Sequence, residues 1–238
     1  MLYLFVMKRI LPFALLALLL ISSCTVTENL DIYNKDSGSS TANIKVEQFF
    51  IDVLEDFGEF LPSSDQSIMD EAMEGFSAQL NNSTSTETVA FKKTGTNAYE
   101  LRFDYTNISS LLADLGAPNQ SLLQMTDNSM KFYVDIDNFE ELTKIVPFLA
   151  DPNFEVYGPM FNQGTSEEDY LDMIYYLLGE DGPDAIKNGS ISVYINVPGK
   201  ITNLEHATKI DKNTALATFP IIDFLLLNEP LTFTINWN

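Results

Sequence analysis

Few side chains in this sequence have the reactivity that catalysis or metal binding requires. Its 238 residues include one cysteine, Cys24, and one histidine, His206, beside 34 aspartates and glutamates. A thiol can serve as nucleophile, metal ligand or redox half, but a redox pair within one chain needs a second cysteine. One histidine cannot build a zinc cluster, and the spacing around it suggests no Ser-His-Asp triad, so His206 is read as a loop or edge residue. No Gly-rich phosphate cradle, Walker signature or dinucleotide fingerprint occurs. Asp135, Asp137 and Asn138, and separately Glu180, Asp181 and Asp184, carry oxygens that calcium accepts, but neither group has the twelve-residue EF-hand spacing, and solvated turns are the simpler reading. Paired carboxylates could hydrolyse glycosides, yet among so many acids some fall close by chance. Neither a cofactor, a metal nor an enzymatic activity is expected.

The chemistry left to Cys24 is acylation, and the preceding residues favour it. Lys8 and Arg9 form a short basic start, and Ile10 to Ile21 are apolar apart from Pro12. That run is shorter than the roughly 20 residues that cross a bilayer, and it has the form of a signal peptide. Ile21-Ser22-Ser23-Cys24 resembles the lipobox of bacterial lipoproteins, in which the chain is cut between Ser23 and Cys24 and the cysteine takes long acyl chains of the palmitate kind. The resemblance implies residues 1–23 as signal peptide and attachment to a membrane of the bacterial cell envelope, on the periplasmic or outer side, through lipid on Cys24.

Removal of residues 1–23 leaves 215 residues, enough for one sizeable or two small cores. The formal charge of −21 becomes −23, because Lys8 and Arg9 are the charged residues lost. A chain this acidic repels phosphate backbones and anionic headgroups, which excludes nucleic acid and makes adsorption to anionic membranes unfavourable. A soluble, solvated surface explains the acidity without a basic partner.

The elements follow from periodicity. Residues 24–43 are polar around Asp36-Ser37-Gly38-Ser39-Ser40 and read either as a tether or, because Leu30 and Ile32 alternate and Ile44 and Val46 resume the pattern, as a first hairpin. The remainder, 44–238, is expected to be a single domain. Phe49, Phe50, Val53, Leu54, Phe57, Phe60 and Leu61 share one helical face over 47–61, ended by Pro62. Ser63 or Ser64 then caps a second helix whose stripe is Met69, Ala72, Met73, Phe76 and Leu80. Tyr99, Leu101, Phe103 and Tyr105 alternate with polar residues, and Val89 and Phe91 lie across the turn at 94–97, which gives a hairpin with one wet face. A short helix at 108–114 leads to a second pair, 121–126 and 130–136. Residues 138–189 form a helical excursion, with a break at Pro147, a loop through 151–164, a helix capped by Thr165 or Ser166 and ended at Gly179, and a last short helix between Pro183 and Gly189. Strands return from Ile191, with Pro198-Gly199 as a type II turn, and end with Leu231 to Trp237. The expected class is α+β, an antiparallel sheet built from hairpins and packed against amphipathic helices.

The run from Ile191 to Trp237, in which a strand ends in Pro198-Gly199-Lys200 and Asn213-Thr214 precedes another strand, resembles the C-terminal part of LppM-type lipoprotein domains and of small bacterial lipoproteins of unknown function. Its motifs are turn chemistry, and the resemblance implies an α+β domain displayed from an envelope membrane.

These readings converge on a non-enzymatic, lipid-anchored module that binds an envelope protein or an apolar ligand such as a lipid, with a structural or assembly role as the alternative and a carboxylate-based hydrolase third. The supply of soft and aromatic side chains suggests an apolar groove between the 47–80 helices and the 138–189 excursion, lined by Phe57, Met69, Met73, Phe76, Met160, Phe161 and Met173, with core filling as the competing use. Cys24→Ser is expected to leave an uncleaved or mislocalised precursor. Cleavage and partitioning into the detergent phase, followed by gel mobility, check this; a cleaved, detergent-phase mutant would contradict the lipobox.

Overall fold

The computed structural model describes residues 25–48, 51, 67–150 and 155–238. The signal segment, Cys24 and most of the first amphipathic helix, including Phe57, lie outside the described residues. Strand β1, Thr25–Ile32, begins directly after Cys24, and β2, Gly38–Lys45, pairs with it antiparallel across the bend at 33–37. Residues 25–45, which the sequence left open between tether and hairpin, therefore hold two adjacent interior strands of a seven-stranded sheet. Asn34 fixes the bend, its Oδ1 accepting from the backbone N–H of Asp36 and Ser37.

The other elements are α1 (Ile68–Asn82), β3 (Thr86–Gly95), β4 (Ala98–Tyr105), α2 (Ile108–Asp114), β5 (Leu123–Met125), β6 (Ser129–Val134) and α3 (Phe139–Ile145). A 3-10 turn at Pro147–Ala150 is followed by α4 (Pro159–Asn162), α5 (Glu167–Leu178), α6 (Gly182–Asn188) and β7 (Ser190–Asn196). The chain ends with β8 (Ile201–Glu205), β9 (Thr208–Lys209), β10 (Thr214–Pro220), α7 (Ile221–Leu226) and β11 (Leu231–Trp237). The larger sheet has the order β3-β4-β2-β1-β7-β10-β9, and a four-stranded sheet has the order β5-β6-β11-β8. The fold is α+β, but with two sheets, one of them mixed, in place of a single antiparallel one. β1 pairs parallel with β7. Hairpin patterning cannot reveal such a pair, because its strands are joined through all of 33–189 rather than through a turn.

Register assigns each side chain of the larger sheet to a face. Rows such as Leu101-Ala42-Glu28-Val193-Ala217 and Phe103-Ser40-Leu30-Ile195-Ala215 run across the strands on one face, and Arg102-Thr41-Asn29-Tyr194-Leu216 on the other. The first face is largely apolar and carries two different covers. Over β3 and β4 it meets α1 and α2, where Met69, Met73, Leu80, Leu111 and Leu115 pack on Tyr99, Leu101 and Tyr105. Over β1, β7 and β10 it meets the smaller sheet, where Met130, Phe233, Ile235 and Trp237 pack on Ile32, Ile195, Ala215 and Ala217. Burying one such side chain stabilises the fold by about 1.5–3 kcal/mol. On the opposite, wet face, Ser39 donates to Asp31 Oδ2 at 3.3 Å, Asn196 Nδ2 donates to Asp31 Oδ1 at 2.8 Å, and Thr214 donates to Asn196 Oδ1 at 2.8 Å, a polar chain across β2, β1, β7 and β10.

Local chemistry sets the helix ends. Ser67, not Ser63 or Ser64, caps α1, its Oγ accepting from the Asp70 N–H, and Ser166 caps α5 in the same way toward Asp169. Asp70 also accepts from Tyr99 at 2.8 Å and is paired with Lys93 at 2.9 Å, so one carboxylate ties α1 to β3 and β4. The segment 151–164 expected as loop holds the four-residue α4 started by Pro159. Pro198-Gly199 is a bend with no positive φ at Gly199. Its glycine is needed because a Cβ there would strike the carbonyl of Asn238, which pairs with Lys200 through both backbone groups. Gly38 meets the same demand, because a Cβ at that position would collide with the Asp31 carbonyl and the Tyr105 hydroxyl. Gly38→Ala is expected to destabilise by about 1–3 kcal/mol through overpacking, read as a lower urea midpoint at unchanged m-value.

Candidate functional site

The two covers of the apolar face meet above β1 and β2, and they leave a slot. It holds about 120 Å³ and is walled by Leu30 and Ile32 of β1, Phe103 and Tyr105 of β4, Ile108 of α2, Leu123 and Met125 of β5, and Met130 of β6. Two polar side chains reach it besides the Tyr105 hydroxyl, Glu28 and Ser40. Period-two alternation places Glu28 there: it lies between Val26 and Leu30 on the inward face of β1 and opposite Ala42 and Val193 in its cross-strand row. Ser40 is buried and its hydroxyl donates to Glu28 Oε1 at 2.7 Å. Burial pushes the Glu28 carboxyl up from 4.5 to about 7, with the Ser40 hydroxyl and the Thr41 backbone N–H pulling the other way. Burial also pushes the Tyr105 phenol up to about 12, assisted by Tyr33, Glu28 and Asp31. The slot therefore offers apolar walls and, near neutral pH, a carboxyl that can either donate or accept a hydrogen bond.

A larger, open depression of about 380 Å³ lies between His206, Phe219, Pro220, Asp223, Asn228, Glu229 and Pro230. Burial and the neighbouring Glu167 raise the Asp223 carboxyl. His206 has a left-handed backbone, φ 53°, in the loop after β8. β10, α7, β11 and the turn at 228–230 bound this depression, whereas the slot lies at the junction of two packed layers and holds the hydrogen-bonded pair Ser40–Glu28. Preorganised side chains distinguish a binding site from a surface concavity, and the slot has them.

The side chains expected to share a groove do not pack together. Met69 and Met73 are buried and Phe76 is partly buried, all three in the core between α1, α2 and β4. Met173 is partly buried in a separate cluster with Tyr157, Tyr170, Ile174, Ile186, Ile222 and Leu226, formed by α5, α6 and α7. Met160 and Phe161 are exposed on α4. Asp135 and Asn138 form a reciprocal turn: Asp135 Oδ1 accepts from the N–H groups of Asp137 and Asn138, and Asn138 Oδ1 accepts from that of Asp135. Among the described residues no three His, Cys, Asp or Glu side chains converge as a metal site would require. The sequence reading passed over Glu28. The available signal was an acid at an inward position of an alternating strand, visible once residues 25–32 are taken as a strand.

No family model matches the chain, and no curated protein matches it. Comparison with solved structures returns the NMR structure of the folded domain of LppM from Mycobacterium tuberculosis, at 10% identity and a TM-score of 0.37, covering 90% of this chain and 89% of that one. This is the type of lipoprotein domain that the Ile191–Trp237 run resembles. Among the described residues no helix is long and apolar enough to cross a membrane.

The raised carboxyl has a measurable consequence. The folded state holds the Glu28 proton more tightly than the unfolded chain does, so stability falls as pH rises from 4.5 to about 7 and is flat above that window. The shift corresponds to a ceiling of about 3 kcal/mol. Glu28→Gln keeps an acceptor for Ser40 and removes the charge. It is expected to stabilise the protein at pH 8, to be near neutral at pH 4.5, and to flatten the pH dependence of the urea midpoint between them.

Proposed function

We propose that the chain is a bacterial cell-envelope lipoprotein, held to its membrane by acyl chains on Cys24, whose folded domain is a binding module that takes the apolar end of a small ligand into the slot over Glu28. The observation that carries this reading is a slot with apolar walls and one hydrogen-bonded carboxyl, at the junction of two packed layers. Its volume approaches the roughly 150 Å³ of an engineered apolar cavity that binds benzene, enough for a short stretch of hydrocarbon or one apolar side chain. Glu28 and Ser40 give that occupant a polar point of attachment and so an orientation. Hydrolysis by paired carboxylates needs two acids, and among the described residues Glu28 is the single carboxyl lining the slot. A binding role fits this arrangement better than an enzymatic one.

A structural or assembly role has its own support in the exposed apolar side chains of α4 and α5, which give a surface for a larger neighbour. The two readings separate in a titration of the purified protein with a fluorescent fatty acid, together with mass spectrometry of material extracted from the native membrane. Saturable binding is expected, and it should be lost in Met125→Trp, which places an indole at the slot's rim. Absence of saturable binding with no co-purifying small molecule would remove the ligand-binding reading and leave the structural one.

A further inference from the structure

The place of the anchor in the fold decides how the domain stands on its membrane. Cys24 is one peptide bond from Thr25, the first residue of β1, so about 4 Å of chain separates the acylated residue from the sheet. Thr25 pairs with Lys45 and Ser190, and Ser190 pairs with Pro220, which defines one end of the larger sheet. An anchor with no linker brings that end to the lipid headgroups.

The same end carries the helical excursion. α6 runs into β7 at Ser190, α7 leaves β10 at Pro220, and Ile221 N–H donates to the Gly189 carbonyl between them. α5 packs on this group through Tyr170, Ile174 and Leu178, with Gly182 pressed against Ile174 and Leu178. On its other side, among the described residues, Tyr175, Tyr176 and Leu177 are exposed, Tyr176 to 85%. α4 and its approach add Val156, Met160 and Phe161, the last 64% exposed. Of the eight large exposed apolar side chains among the described residues, these six fall between 156 and 177. The other two, Tyr33 and Ile210, lie at the opposite end of the sheet, after Ile32 and beside Thr214, the partner of Asn196.

We propose that the exposed side chains of α4, its approach and α5, namely Val156, Met160, Phe161, Tyr175, Tyr176 and Leu177, rest in the interfacial region of the phospholipid bilayer that holds the Cys24 acyl chains. Aromatic side chains with a polar edge suit that depth. The acylated cysteine supplies the attachment, so the face needs no basic residues to reach the membrane. Asp172 and Glu180 lie four residues either side of Tyr176 and keep the contact shallow and directed to zwitterionic headgroups, because anionic ones would repel them. The proposal rests on the acylation of Cys24, and its test separates the two.

The full chain, expressed with its leader in a bacterial host and purified with its lipid, is reconstituted into phosphatidylcholine vesicles with and without brominated phosphatidylcholine. Tyr176→Trp and Ile210→Trp each add one indole at an exposed site, and the signal of the native Trp237 is subtracted using the parent protein. Mass spectrometry of the N-terminal peptide reports acylation. Acylated protein is expected to show brominated-lipid quenching at least twofold stronger for Tyr176→Trp than for Ile210→Trp, with unchanged thermal unfolding in both. Equal or absent quenching in acylated protein would overturn the face and assign it to a protein neighbour. An unacylated peptide would overturn the anchor, and the proposal with it.

Discussion

A seven-stranded sheet with one apolar face has to hide that face, and the whole structure follows from how it does so. The strands of this sheet are spaced about 4.8 Å apart, so seven of them present a width that one pair of short helices cannot cover. The chain divides the task. α1 and α2 close the β3–β4 side, and the four-stranded sheet closes the β1–β7–β10 side. Helices and sheets pack with different surface relief, so the boundary between the two covers is where close packing is hardest to achieve. The slot lies on that boundary.

The strand beneath the boundary is β1, and it holds the two halves of the molecule together. It pairs with β2, whose other neighbour is β4, and with β7, whose other neighbour is β10. The polar chain Ser39-Asp31-Asn196-Thr214 on the wet face crosses the same junction and fixes the parallel register of β1 and β7 from the side opposite the core. A one-residue slip there would turn Leu30 and Ile32 to water and break the Asn196–Asp31 hydrogen bond, so both faces select one register. Glu28 is the departure from this agreement, an acid kept inward where Val26, Leu30 and Ile32 set the pattern. A local rule broken at one position points to function, and the proposed reading of the slot rests on Glu28 as such a position.

Charge and anchoring act at different scales. The acids are spread over solvated surfaces and helix starts such as Glu167, Glu168 and Asp169, where the helix dipole favours them. Their summed charge repels phosphate backbones and anionic headgroups. On the proposed reading, with lipid on Cys24, position on the membrane depends on geometry, because Cys24 directly precedes β1.

Much of the local structure was legible in the sequence. The β3–β4 hairpin, α2 at 108–114, a cap at Thr165 or Ser166, the Gly179 stop and the terminal strand all follow from period, cap and turn chemistry acting within a few residues. So did the reactive inventory, because one cysteine and one histidine limit the chemistry whatever the fold. Residues 25–45 were ambiguous, because polar alternating strands resemble linker until their partners are known. The division into two sheets, the parallel β1–β7 pair, the separation of Met69 and Met73 from Met173 and the inward setting of Glu28 at a seam came only with tertiary structure. They depend on contacts between residues far apart in sequence, 165 positions for Asp31 and Asn196, and no local propensity records which distant strand will lie alongside or which of two covers a given apolar side chain will meet.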